Sequence, residues 1–193
     1  MSEKILFLTN NPGSKHLFDW LAKTNEVKKW SEPLTTHILE QLNPSVVISY
    51  SYQHIIKSDV LSWPVRFINL HISYLPFNRG ADPNAWSILD GTPSGVSIHL
   101  IDSGIDTGPI LVQKLVDLAD TETLTSSYQR MQDEIQTLFQ ENWPELMNIE
   151  PKIQTSKGTF HNARDFAAIK EKLLGSEGWD VSLATLKKRA MSA

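Results

Sequence analysis

The chain reads as an α/β protein with a mostly parallel central sheet and helices on both faces. Three observations predict this. Short apolar runs alternate with segments of helical spacing. The N-terminal stretch runs strand, glycine-containing turn, helix, the usual opening of such a domain. The run SVVISY is continuously apolar rather than alternating, as a strand buried on both faces must be. A length of 193 residues is enough to cover a sheet on both sides.

The elements follow in order. KILFLTN (4–10) is a strand, NPGSKH a turn and HLFDWLAK a helix. HILEQLNPSVVISY gives a helix over about 35–42, an Asn-Pro break and a buried strand. QHIIKSDVLSW predicts a short helix or turn, and RFINLH (66–71) the next strand. NAWSILDG is helical and is stopped by Gly91. SGVSIHLID (94–102) and GPILVQKLVDL (108–118) are strands. Leu124, Tyr128, Met131, Ile135, Leu138, Phe139 and Trp143 recur at helical spacing, which predicts one long amphipathic helix over about 122–149, capped by Thr123 or Thr125. After Pro151 only DFAAIKEKLL gives a helix signal, and the tail LKKRAMSA is expected to fray. The expected organisation is a main domain over 1–150 and an extension over 151–193 packed on it, too short for a core of its own.

Composition narrows the function. Apolar residues make up 40% and charged residues 21%, as in ordinary soluble proteins. A net charge of −4 argues against nucleic acid as the partner, because phosphate binding needs a basic face. With no cysteine there is no disulfide framework, thiolate chemistry or Cys-ligated metal. No segment reads as a signal peptide or a membrane span, so a cytoplasmic location is expected.

The chemistry concentrates in INLHISYLPFNRGADPNAW and HLIDSGIDTGPIL. In a parallel sheet, ligands sit at the carboxyl ends of strands. Asn69 and His71 lie at one such end, and the turn holding Asp102 and Asp106 lies at another. A carboxylate can fix the tautomer of an imidazole and raise its basicity. An Asn beside them supplies a donor for a developing oxyanion. Asn, His and Asp on adjacent strand ends suit acyl transfer to an amine without a covalent intermediate. Taken singly, Asn-x-His is a hydrogen-bonded structural pair in most proteins, and an Asp-rich turn is only a turn.

Together these segments closely resemble the formyltransferases that use 10-formyltetrahydrofolate, a family that includes glycinamide ribonucleotide transformylase, methionyl-tRNA formyltransferase and the sugar N-formyltransferases. The matching pieces are Asn69-x-His71, the loop Ser73-Tyr74-Leu75-Pro76, and the turn from Asp102 to Gly108. The resemblance covers about 44–113 strongly and fades after 150. It implies a Rossmann-like formyltransferase fold, a 10-formyltetrahydrofolate cosubstrate and no metal. It implies Asn69, His71 and Asp106 as the catalytic residues, with Asn69 and a protonated His71 stabilising the oxyanion and Asp106 holding His71 and moving the amine proton. It places the pterin between Tyr52, His54, Ile55 and Ile56 on one side and Ile101, Asp102, Ser103, Gly104 and Ile105 on the other, read mainly by backbone groups.

The formyl acceptor is a small-molecule amine. Arg79 and Gly80, in NRGADPN, look like the tRNA and sugar branches, and Arg79 suits a phosphate or carboxylate. Gly13 and Ser14, followed by Lys15, could hold a phosphate where the first helix begins, although an ordinary turn and N-cap explains them equally. Lys157, His161 and Arg164 are either acceptor-pocket residues or a solvated face. The favoured acceptor is a nucleotide-linked amino sugar. Glycinamide ribonucleotide, hydrolysis of the formylfolate and a catalytically inactive folate-binding protein are the alternatives. No membrane or nucleic-acid partner is expected, and a homodimer is compatible with the sequence. Trp86 is expected in the core and His99 as a buried structural histidine, whereas His16 and His37 read as surface residues. No G-x-G-x-x-G follows the first strand, which disfavours a dinucleotide-binding protein.

Overall fold

A computed structural model describes residues 2–191. Its central six-stranded sheet has the order β2-β1-β3-β4-β6-β7. The strands are β1 (Lys4–Leu8), β2 (Glu26–Trp30), β3 (Val46–Tyr50), β4 (Arg66–His71), β6 (Gly95–Leu100) and β7 (Ile110–Leu115), while β5 (Arg79–Gly80) stands apart. β1 pairs in parallel with β2 and with β3, and β3 in parallel with β4. Chain direction across the sheet reverses between β1 and β3, so this is an α/β sheet with a switch point at the carboxyl ends of those strands.

The chain divides into two compact units. The first comprises Met1–His71, Ile98–Leu111 and Trp143–Ile153. Its core follows from the strand pattern. Leu6, Leu8, Val47 and Phe67 bury one face against Leu34 and against Leu39 of α2 (Thr36–Leu42) and Val60 of α3 (Ser58–Leu61). On the other face, Phe7 meets Phe18 of α1 (Lys15–Leu21) edge to face at 6.1 Å. β3 is buried at every position, as its uninterrupted apolar sequence requires. Thr35 caps α2 by accepting from the Ile38 amide, and Asn43 ends it in the left-handed region.

The second unit comprises Ile72–Ser97, Val112–Asn142 and Gln154–Ala193. Ala85 and Ile88 of α4 (Pro83–Leu89) pack with Leu124 of α5 (Leu124–Asn142) and with Phe166, Leu173 and Leu174 of α6 (Ala163–Leu174). Leu183 and Leu186 of α7 (Leu183–Ala190) complete this core. α6 starts with a reciprocal capping box between Asn162 and Asp165. The two-residue strand β8 (Phe160–His161) pairs in parallel with β5.

Four sequence expectations need correction. The long helix ends at Asn142 instead of 149, because Pro144 disfavours helical geometry at Trp143. The tail does not fray over most of its length: Ser182 caps α7 and the buried Leu183 and Leu186 pin it, although Ser192 and Ala193 lie outside the described residues. β2 went unpredicted, since an edge strand with the exposed Lys28 and Lys29 carries no apolar run. The pair β5–β8 is too short for any sequence period. Among the described residues, no helix is long and apolar enough to cross a membrane.

Candidate active site

The first unit brings Asn69, His71, His99 and Asp106 together. Asn69 and His71 project from the same side of β4, two positions apart. His99 comes from β6. Asp106 sits in the turn after β6, with a left-handed φ of 52° that a non-glycine residue adopts only at a cost of roughly 1–3 kcal/mol. Such strain persists where the surroundings enforce it, and here they do. Asp102 accepts from the Gly104 amide at 3.0 Å and from Thr107 Oγ1 at 2.6 Å, which closes the turn on itself. Gly108 makes the return: a Cβ there would lie 1.8 Å from the Leu100 carbonyl oxygen, so only glycine lets the turn fold back on β6.

The polar contacts form one connected set. Asn69 Nδ2 donates to Asp106 Oδ1 at 3.2 Å and lies 3.1 Å from His99 Nε2. His71 Nδ1 lies 3.6 Å from Asp106 Oδ2, and His99 Nε2 lies 3.4 Å from Asp106 Oδ1. His99 Nδ1 lies 2.7 Å from the Leu100 carbonyl, which can only accept. Nδ1 therefore carries a proton; with Nε2 accepting from Asn69, its 3.4 Å approach to Asp106 Oδ1 is two acceptors bridged by the Asn69 amide, not a hydrogen bond. The amide of Asn69 spends one hydrogen on His99 and the other on Asp106. His71 is 8% exposed and His99 2%, so these contacts act with little competition from water. His99 is thus buried and hydrogen-bonded, as expected of a structural histidine, but it is also joined to Asn69 and, through the Asn69 amide, to Asp106. Its position three residues before the Asp-rich turn was the available signal.

The loop after β3 lies in the same unit. Tyr52 donates its hydroxyl to the Glu32 carbonyl at 2.6 Å, and His54 Nε2 lies 3.1 Å from the Ser31 carbonyl. The two rings meet edge to face at 5.2 Å. Burial pushes the Tyr52 hydroxyl above its ordinary pKa, more than its hydrogen bond near Leu34 lowers it. These side chains anchor the loop, and the Ile56 side chain is part of the apolar core. Ile55 is 80% exposed, and Ile105 across in the Asp-rich turn is 47% exposed. The main-chain groups of Ile55, Ile56, Ser103 and Ile105 make no hydrogen bond to another described residue. The Ile101 amide is spent on the Phe67 carbonyl. Free backbone donors and acceptors beside exposed isoleucines fit a flat heterocycle read at its edge.

The expected acceptor residues each have partners within their own unit. The Gly13 amide donates to Asn11 Oδ1 at 2.8 Å and the Ser14 amide to the Asn11 carbonyl at 3.1 Å. The Ser14 hydroxyl donates to that carbonyl and accepts from Thr9. This turn is self-capped and offers no spare N–H to a phosphate. In the second unit, Arg79 Nε and Nη2 both donate to Gln154 Oε1, at 3.2 and 2.7 Å. Gly80, at a φ of +89°, is there for close approach: a Cβ would stand 2.2 Å from the His161 carbonyl. His161 stacks on Trp86 at 3.7 Å and pairs with Asp90 at 2.8 Å. Trp86 packs against the core of its unit, as expected.

Comparison with known proteins agrees with this geometry. Residues 13–142 match the formyl transferase family model. The chain belongs to the formyl transferase family. It is 39% identical to the formyltransferase PseJ of Anoxybacillus kamchatkensis, whose crystal structure holds UDP-4,6-dideoxy-4-formamido-L-AltNAc and tetrahydrofolate. That match covers 96% of this chain and 98% of PseJ, with a TM-score of 0.87. A sugar N-formyltransferase from a Shewanella species shares the fold, with a TM-score of 0.73 at 24% identity, over 96% of this chain and 87% of that one. Methionyl-tRNA formyltransferase of Thermodesulfovibrio yellowstonii is 35% identical over 126 residues, which is 63% of this chain but only 41% of that protein.

Proposed function

We propose that this protein transfers a formyl group from 10-formyltetrahydrofolate to a primary amine, and that the amine belongs to a nucleotide-linked amino sugar. The observation that carries the reaction is the contact set joining Asn69, His71 and Asp106 within 3.2–3.6 Å at the strand ends of one unit. The acceptor reading is supported by the likeness to PseJ, which runs nearly the full length of both chains.

The folate, when bound, supplies the activated formyl group, and the free main chain of Ile55, Ile56, Ser103 and Ile105 would hold its ring. The residues of the chain do the rest. His99 anchors one hydrogen of the Asn69 amide. The other, aimed at Asp106 by the same planar amide, can be shared with an oxyanion developing beside that carboxylate oxygen. A protonated His71 supplies a second donor, and Asp106 both pairs with that imidazolium and accepts the proton released by the attacking amine. Residues 151–193 are read as an integral extension of the catalytic domain.

The test incubates the protein with 10-formyltetrahydrofolate and nucleotide-linked amino sugars, glycinamide ribonucleotide or no amine, and follows tetrahydrofolate release. Turnover is expected with an amino-sugar nucleotide. His71→Ala and Asp106→Asn should each lower kcat by about 10²–10⁴. Turnover with glycinamide ribonucleotide would reassign the acceptor, and turnover without amine would mean a hydrolase. Folate binding without any turnover across the panel would refute catalysis of this kind.

A further inference from the structure

In the second unit, the partly buried guanidinium of Arg79 is held by a neutral group. Its Nε and Nη2 both donate to one oxygen, Oε1 of Gln154, at 3.2 and 2.7 Å. A guanidinium can only donate, so the amide must turn its oxygen to it. Among the described residues, Arg79 makes no ion pair with a carboxylate, and its Nη1 makes no hydrogen bond. Arg130 and Arg189, by contrast, each lie 2.8 Å from a glutamate oxygen, of Glu122 and Glu177. Arg66 braces the main-chain carbonyls of Leu146 and Ile149, at 3.3 and 3.2 Å.

The mount of this guanidinium is stiff. Thr159, five residues after Gln154, donates its amide to the Pro76 carbonyl at 3.2 Å, and its carbonyl accepts from the Arg79 amide at 3.1 Å. Thr159 Oγ1 accepts from the Asn78 amide at 2.7 Å and donates to Asn78 Oδ1 at 3.1 Å. Asn78 is 0% exposed and sits in the left-handed region, at a φ of 55°. Such a backbone persists where its surroundings enforce it, and it concentrates at functional sites. A Cβ on Gly158 would lie 2.0 Å from the Pro76 carbonyl oxygen, so the strap around Thr159 closes tightly on the loop that carries Arg79. Main chain and side chain of Arg79 are thus both fixed in advance, which lowers the ordering cost of binding. A solvated arginine needs no such support.

We propose that Gln154 is a positioning residue for the formyl acceptor: it aims the Arg79 guanidinium and, being neutral, leaves its charge for an anionic group, a phosphate or a carboxylate. A glutamate at 154 would grip the same fork more strongly and cancel the charge. An amide supplies the aim without the neutralisation, and the Nη1 edge is left to meet the ligand. That the anion belongs to the acceptor rests on the function proposed above; anion binding at Arg79 does not, so the two readings fail separately.

Two measurements test this on the full chain. In the first, without folate or acceptor, the Nε–H NMR signal of Arg79 is followed while inorganic pyrophosphate or glucuronate is added. One of the two should shift it, with Kd raised at least about tenfold in Gln154→Glu. A response to pyrophosphate identifies a phosphate subsite, and one to glucuronate a carboxylate subsite. Gln154→Glu should melt at or above the wild-type Tm, because a charge-assisted pair replaces a neutral one. Gln154→Met, which removes the aim and keeps the charge, should also weaken anion binding, by less than Gln154→Glu does. In the second, steady-state kinetics with an acceptor that turns over, Gln154→Glu should raise the acceptor KM at least about tenfold and leave kcat and the folate KM within about threefold of wild type. The proposal is overturned if neither anion moves the signal at about 10 mM, if both variants bind the anion as wild type, or if the acceptor KM of Gln154→Glu is unchanged. A purely structural Arg79 would give that last result together with an undiminished Tm.

Discussion

Replacing His99 with Phe probes the contact that sets the Asn69 amide. Phe keeps the approximate volume, so no large cavity opens. Two contacts disappear, the 3.1 Å contact with Asn69 Nδ2 and the 2.7 Å one with the Leu100 carbonyl. Each loss strands a shielded polar group at about 1–3 kcal/mol, and burial of an apolar ring offsets part of it, leaving a net cost of about 2–4 kcal/mol. For a chain of this length, about 2–4 °C per kcal/mol gives a fall in Tm on the order of 10 °C. The effect on activity is separate. An Asn69 amide freed from its anchor can turn away from the developing oxyanion, and losing such a donor costs about 10²–10³ in kcat. KM for the folate should stay near wild type, because the loops after β3 and β6 are untouched. His99→Gln returns an acceptor oxygen and should recover at least about tenfold of the lost rate. Thermal melting and steady-state kinetics decide the matter. A kcat within about threefold of wild type alongside a lowered Tm would mean that Asn69 is oriented without His99. An unchanged Tm would mean that the hydrogen bonds assigned to His99 do not form.

Two further outcomes are expected. Gly108→Ala places a methyl group 1.8 Å from a main-chain oxygen that cannot rotate away, and should cost about 1–3 kcal/mol or more by urea unfolding; a neutral result would show that the turn can lift off β6. Tyr52 has a hydroxyl pKa raised above its ordinary 10.0 by burial, so the folded protein keeps that proton longer than the unfolded chain. Its contribution is intact below the unfolded value and is lost as pH rises through the higher folded one, so Tyr52→Phe should flatten the alkaline fall in stability above the ordinary 10.0; an identical slope in the variant would refute that.

The sheet was legible because buried parallel strands leave continuous apolar runs, and β3 and β4 appear where those runs stand. β2 was not, because its lysines face solvent at a sheet edge and nothing in EVKKW separates it from a loop. α7 escaped because a short helix with one buried stripe, Leu183 and Leu186, offers too few periods to detect. In the site, Asn69, His71 and Asp106 could be named from motif spacing. His99 could not be tied to them, since its link depends on the register that sets β6 beside β4. The pairing of Arg79 with Gln154 was not legible for a related reason. A free guanidinium and one spent on Gln154 look the same in sequence, and the partner lies 75 residues away.

Every side chain of the Asn69 contact set belongs to one compact unit, and Arg79 and Trp179 belong to the second. Such a partition bears on how the chain can diverge. The second unit also supplies Gly95–Ser97 of β6 and Val112–Leu115 of β7, so drift that spares these strand residues can sample new recognition surfaces while the residues of the contact set stay under separate selection. A library confined to second-unit residues outside β6 and β7 should therefore keep more clones with the contact set intact than one spread evenly along the chain.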